Sequence, residues 1–463
     1  MTDITCSNVS CHFQKLANKS SAEVLELLPT SMVELAVGEL NLKFRQRIFT
    51  PILTLSAFLS QVFNDDTSCK RAVMEVNSYL SRLKLRLCSF GTSSLCKAKA
   101  RLPIELFQLL FSKLNHEIEQ TDQTIWHWKH GKVLVVDGTG FSMPDTPSNR
   151  RYFTIHNSKK SNIGFPVGRL LAVFSLSHAG IVKAVIAPWK GKGTGEVTLL
   201  NQLWECFQPG NTLLGDALYS SYWVVAKALE RNIHIVSELR TKSSWRLSKK
   251  KSDQIITIQR NSHCPIALSK EEFSALPTSV QVRIIRLVCA PRGFRPKVKY
   301  ILTTHLSAQI TAKDICDLYK QRWQAEINLR SLKTVLGMDI LRGLSHEMVK
   351  KEVLAHLLAY NLTRHTMAKA ACLLKRLPTQ LSFRCAMQTL SVMRFTIALT
   401  GHQESDDLLV LKALRSLIVG NRPDRYEPRA IKRRKKNFAF LNKPRQDMKK
   451  ILCKKYKTKK VSS

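Results

Sequence analysis

The chain has 463 residues, long enough to bury a substantial core in roughly two to four domains. Its 73 Lys and Arg against 34 Asp and Glu leave a formal charge of +39, so a polyanionic partner is expected, nucleic acid first and an anionic membrane surface second. No apolar run reaches the ~18 residues needed to span a bilayer, and the opening MTDITCSNVSCHFQK lacks the basic-then-apolar order of a signal peptide, so a cytosolic protein is expected.

From residue 21 to about 120, apolar periodicity in SAEVLELLP, TPILTLSAFLSQVF and PIELFQLLFSKLNHEIEQ predicts helices, with basic residues between them in SRLKLRLCSF and CKAKAR. Residues 1–125 read as a helical DNA-binding domain, with a charged helical surface that has no partner as the alternative. In GKVLVVDGTG, Val133 to Val136 form a short buried strand, with Asp137, Gly138 and Thr139 as the turn that ends it. A hairpin follows across SHAG in GRLLAVFSLSHAGIVKAVIAPW. Then come a helix (GEVTLLNQLWECF), a strand (NTLLGDALY), a helix (SSYWVVAKALERN) and a strand (IHIVSEL). This β-β-β-α-β-α-β order over 126–239 predicts an α/β fold, a mixed sheet covered by helices.

Between 240 and 296 the pattern changes to alternating strands, DQIITIQR and SVQVRIIRLVCA, with basic connections, which reads as a β-rich insertion. KVKYILTTHL returns to the core, and residues 297–345 close it with the helix DLYKQRWQAEINLRSLKTVLGMDI. Residues 346–420 are helical again, with Gly420 placed to end the last helix. The basic tail 421–463 is too charged to pack alone and is expected to order on a polyanion. Twelve cysteines scatter without a C-x-x-C pair, and CSNVSCH has no second half to complete a zinc site, so buried or incidental thiols are the reading.

On a straight helix at 100° per residue, Tyr319, Arg322, Glu326 and Lys333 share a stripe about 60° wide beside the apolar face. Ordinary i, i+4 pairing of Arg322 with Glu326 is one account of it. The other comes from two strand-end carboxylates, Asp137 in VLVVDGT and Asp216 in TLLGDALY. Each alone is an ordinary turn or cap residue. With Glu326 at the rim of the same sheet they form a trio whose repulsion a cation would relieve, and hard oxygen ligands favour Mg2+ or Mn2+. Such a trio suits two-metal phosphoryl chemistry, with Arg322 and Lys333 on phosphate oxygens and Tyr319 hydrogen-bonding or stacking on an unpaired base.

These residues resemble the insertion-sequence-four family of bacterial DDE transposases, whose mark is Y-x2-R-x3-E-x6-K on the helix bearing the catalytic Glu. Tyr319, Arg322, Glu326 and Lys333 match every spacing. VVDGTGFSMPDTPSN around Asp137 and GDALYSSY around Asp216 look like its two Asp blocks, DRYEPRAIKRRKK echoes its ending, and FTPILTLSAFLSQVFNDDTSCKRAV looks like its N-terminal region. The resemblance implies a ribonuclease H-like catalytic core with a β-rich insertion. It implies Mg2+-dependent cut-and-paste transposition, with Mn2+ as a substitute, on the double-stranded DNA of terminal inverted repeats and target, by a homodimer in the DNA complex and with no membrane partner. It assigns Asp137, Asp216 and Glu326 as metal ligands, and Tyr319, Arg322 and Lys333 as DNA contacts. Trp245, in the basic insertion, is either a packing residue or a platform for a flipped base. Asp145, in MPDTP, reads as a turn residue. The competing function is a non-catalytic DNA-binding repressor derived from a transposase; a stand-alone nuclease would not need the large flanking regions.

Overall fold

The computed structural model describes residues 30–44, 47–82, 84–155, 164–240, 251–289, 297–400, 404–416, 418–419, 443, 446–448 and 450–451. Trp245, Gly420, almost all of the basic tail and the segment SAEVLELLP lie outside the described residues.

Eight strands form one sheet in the order β3-β2-β1-β4-β5-β8-β7-β6. They are β1 (Val133–Ser142), β2 (Val167–Ser175), β3 (Ile181–Pro188), β4 (Thr212–Gly215), β5 (His234–Glu238), β6 (Asp253–Gln259), β7 (Ser279–Cys289) and β8 (Lys297–Thr303). β1, β2 and β3 are antiparallel neighbours, whereas β4 runs parallel to β1 and to β5. This is the ribonuclease H-like arrangement expected of the core. β8 pairs antiparallel with β5 and carries β7 and β6 outward, so the strands of the 240–296 segment share the core's sheet.

Side-chain alternation along β1 feeds two cores. Val133 and Val135 join the larger one, and Leu134 and Val136 the other. Both faces are covered, which is why this stretch is a continuous apolar run rather than an alternating one. The strand does not end at Asp137 as the turn residues suggested. β2 supplies antiparallel partners from Leu134↔Ser175 through Asp137↔Ala172 to Ser142↔Val167, and these backbone bonds override the local preference of DGTG for a turn. What does stop is the parallel neighbour, whose last rung is Val135↔Leu214.

The larger core is built on one long helix and on N-terminal helices packed against it. The N-terminal helices are α1 (Thr30–Glu39), α2 (Pro51–Phe63), α3 (Cys69–Arg82), α4 (Ser93–Arg101) and α5 (Ile104–Thr121). After β1 come α6 (Pro147–Phe153), α7 (Glu196–Leu199), α8 (Tyr222–Glu230) and α9 (Lys270–Ala275). The C-terminal half holds α10 (Ala312–Lys320), α11 (Trp323–Arg330), the long α12 (His346–Leu374), α13 (Phe383–Thr400) and α14 (Glu404–Ser416). Leu106, Leu110 and Leu114 of α5 and Val349, Val353 and Leu357 of α12 are all buried in that core together with Val135 and Leu214 of the sheet. The opposite face is covered by α8 and the short turns around Trp204.

The single helix expected over 317–340 is two helices and a π-turn. Gln321 and Arg322 donate to Leu318 and Tyr319, three residues back, which tightens and breaks the helix between α10 and α11. Beyond α11, Ser331–Val335 is π-helical, and the Ser331 hydroxyl donates 3.1 Å to the Ile327 carbonyl, sharing that acceptor with the Ser331 N–H.

Arg364 of α12 anchors α11 from behind. It is 2% exposed, donates 2.9 Å to Asn328 Oδ1 and 3.0 Å to the Tyr360 hydroxyl, and lies over the Phe383 ring. Arg364→Ala strips buried Asn328 of its best donor and should lower stability by about 1 to 3 kcal/mol or more, read as a fall in the urea midpoint.

Candidate active site

Two rungs beyond the last β1–β4 pair, the register sets Asp137 beside Asp216, where β4 has ended and the sheet opens. Asp137 Oδ1 accepts from the Gly138 N–H at 2.8 Å. Asp216 caps the 3-10 turn Ala217–Ser220 by accepting from the Leu218 N–H at 2.8 Å. These bonds orient both carboxylates where β4 ends and leave oxygen lone pairs free. Burial pushes Asp137 up to about 6; the Gly138 N–H and the Arg322 guanidinium oppose this, while Asp216 and Glu196 push it further up.

Glu326 comes to the site from α11 with its carboxylate held by Arg322, whose Nη2 donates 2.7 Å to Oε1. Arg322 also acts electrostatically on Asp137, lowering its pKa against the push of burial. The pairing account of the polar stripe is therefore realised in this structure. Lys333, in the π-turn, has no carboxylate within ion-pair distance among the described residues.

Tyr319 does not face outward with them. It is 5% exposed, and its hydroxyl donates 2.7 Å to Glu238 Oε2, an oxygen that also receives Lys299 Nζ at 2.6 Å. The break after α10 is the reason, because the wheel that aligned Tyr319 with Glu326 assumed a straight helix. Burial and the Glu238 carboxylate raise the Tyr319 hydroxyl above its ordinary range, so it stays a neutral donor. In this DNA-free structure Tyr319, Lys299 and Arg322 all act on Glu238.

Two acidic residues of the site escaped the sequence reading. Glu238 ends strand β5 in IHIVSE just as Asp216 follows β4, so the strand-end criterion could have found it. Glu196 begins α7 after the glycine- and lysine-rich KGKGTG, with no periodicity or partner in sequence to mark it. Burial raises its pKa, Arg169 opposes and Asp216 adds to the rise.

In this metal-free structure neither Asp137, Asp216 and Glu326 nor Asp137, Asp216 and Glu196 bring three oxygens within 4.8 Å of one another, so either trio would have to draw together on an ion; among the described residues Glu119, Asp122 and His178 do lie that close. That last group already contains a cation. Lys132 Nζ bonds Glu119 and lies 3.5 Å from Asp122 Oδ2. Against the upward push of burial, His178 and Lys132 hold Glu119 at about 2. We read it as a tie between the end of α5, the start of β1 and the β2–β3 turn. Asp145 is bound by Arg150 beside α6, as a turn residue would be.

The sequence profile of the transposase DDE domain matches residues 128–362, which spans the sheet, the carboxylates and most of α12. The chain belongs to the transposase DDE domain family. Within it, the insertion-sequence-four resemblance is matched by a relative: the transposase InsG for insertion sequence element IS4 of Escherichia coli (strain K12) is 27% identical over 358 residues, covering 74% of this chain and 76% of that one. Among solved structures, a piggyBac transposase synaptic complex with hairpin DNA aligns over 84% of each chain at 13% identity with a TM-score of 0.45. The protein is accordingly a DNA transposase, an enzyme of the polynucleotidyl-transferase and endonuclease class whose family depends on a divalent metal. No helix among the described residues is long and apolar enough to cross a membrane.

Proposed function

We propose that Asp137, Asp216 and Glu326 are the metal-binding catalytic carboxylates of cleavage at an element's terminal inverted repeats and of strand transfer into target DNA, with Mg2+ as the ion and Mn2+ as a substitute. The observation that carries this is the register that sets Asp137 beside Asp216 at the open end of the sheet, with Glu326 reaching the same place through Arg322. The donor set fits: hard oxygens, crowded enough that burial and like charges push Asp137 up to about 6. When bound, such ions activate a water or 3′-hydroxyl and stabilise the leaving oxygen.

The rest is done by the chain's own side chains. Glu326 would be one of the residues that hold the ion, and the Arg322 guanidinium beside it would take a phosphate oxygen next to the scissile bond. Lys333 supplies a second phosphate contact from the π-turn. Tyr319 positions Arg322 by holding Glu238 in place. The substrate is double-stranded DNA bound by a homodimer in the cytoplasm of a bacterium, at its nucleoid. A non-catalytic repressor is the second reading, and retention of all three carboxylates speaks against it. An end-specific cleavage assay followed by strand transfer with a labelled 3′ end separates the two: a repressor binds ends and yields neither product.

Residues 421–463 should add mostly sequence-independent affinity through counterion release, so deleting them should flatten the slope of log affinity against log salt by roughly 0.9 for each phosphate that the tail neutralises. An unchanged slope would mean that the tail does not touch phosphate.

A further inference from the structure

We propose that Glu196 is the third carboxylate of the divalent-cation pocket in the DNA-free protein, joining Asp137 and Asp216 while Glu326 is still held by Arg322. The inference rests on the assignment of Asp137 and Asp216 to the metal site. Its first support is where the Glu196 side chain lies. A Cβ on Gly138 would sit 2.4 Å from Glu196 Cδ and 2.7 and 2.8 Å from its two oxygens. The carboxylate thus rests against the β1 backbone one residue after Asp137, an approach that only glycine permits. Alternation along β1 turns Gly138 and Asp137 to opposite faces, so Glu196 approaches β1 from the face opposite the Asp137 side chain, beside the point where β4 ends.

The second support is Tyr219. It is 1% exposed, and its hydroxyl is buried without a hydrogen-bond partner among the described residues. The acidic groups that act on it are Glu196, Asp216 and Asp137. Gly215 makes room for the ring, since a Cβ there would meet it at 2.5 Å. A buried hydroxyl left unpaired costs about 1 to 3 kcal/mol, and such groups mark a missing water or ion. A hydrated cation among these three carboxylates would supply a coordinated water as that partner.

The third is a contrast between the two glutamates. Arg169 Nε stands 3.9 Å from Glu196 Oε1, while its Nη1 donates 2.7 Å to the Thr194 carbonyl and its guanidinium stacks on Trp189 at 4.5 Å. Arg169 therefore steers Glu196 without consuming its lone pairs, whereas Arg322 forms a full 2.7 Å bond with Glu326.

Mn2+ binding to the full-length, DNA-free protein, followed by calorimetry and by the loss of free-Mn2+ paramagnetic signal, tests this without any activity readout. Glu196→Gln should weaken Mn2+ binding about ten- to a hundredfold, Asp137→Asn should do at least as much, and Glu326→Gln should leave it within about twofold. Gly138→Ala, which keeps the Glu196 charge and pushes it aside, should weaken binding as well. Should Glu196→Gln fail to fold, as judged by its melting curve, Gly138→Ala carries the comparison alone. Wild-type binding by Glu196→Gln and Gly138→Ala, with binding lost in Asp137→Asn, overturns the role of Glu196 and keeps the metal site. Wild-type binding by Asp137→Asn overturns the metal-site reading itself.

Discussion

Asp137→Asn, Asp216→Asn and Glu326→Gln should each reduce end cleavage by at least about a hundredfold, or about 2.7 kcal/mol of activation free energy, while leaving binding of the element's ends close to wild type. Each change keeps the shape of the side chain and removes the charge that a hard cation needs. The surroundings of the three separate this outcome from simple misfolding. Asp137 is crowded by Asp216 and Glu196, so neutralising it in metal-free buffer relieves repulsion, and its melting temperature should be at or above that of wild type. Glu326→Gln weakens the hold on Arg322, so end binding should not fall. Cleavage and melting are measured on the same purified protein. A variant with substantial cleavage would take its residue out of the site, and a variant with a collapsed melting curve would say nothing about chemistry until refolded.

The candidate pair Asp137 and Asp216 was legible because each follows directly on an apolar run that reads as a buried strand. Val133–Val136 and Thr212–Gly215 read as buried strands, and parallel pairing in a sheet then puts the residues after them side by side. Tertiary pairing hid the rest. DGTGFS looks like a turn because its residues favour one, yet β2 offers a full set of antiparallel partners and draws the strand on to Ser142. The wheel over 317–340 assumed unbroken 3.6-residue periodicity, and the break at Gln321–Arg322 with the π-turn at Ser331–Val335 rotated Tyr319 inward to Glu238. Glu196 was invisible for a different reason. Nothing local to KGKGTGEV says that its carboxylate will lie on Gly138, some sixty residues away on the neighbouring element of the site.

Arg322→Ala and Lys333→Ala should weaken the binding of cleaved or transferred ends by about ten- to a hundredfold, corresponding to the roughly 1.5 to 3 kcal/mol of a charge-assisted contact, with little effect on binding to repeat DNA remote from the cut. The DNA-free structure supplies the rival explanation for Arg322, since its guanidinium already pairs with Glu326 at 2.7 Å. Taken as the whole of its role, an i, i+4 pair contributes about 0.2 to 0.5 kcal/mol, and Arg322→Ala would then lower the melting temperature slightly and leave the footprint intact. Lys333 has no such pair among the described residues, so its removal has no ion pair to break and isolates the phosphate contact. Footprinting across the cleavage site and thermal melting on both variants therefore decide the matter. Phosphate contacts predict that both variants lose protection at the scissile bond, with Lys333→Ala melting like wild type. A normal footprint in Lys333→Ala, together with a normal footprint and lowered melting in Arg322→Ala, would reduce the polar stripe to helix stabilisation and leave Glu326 as its sole contribution to the chemistry.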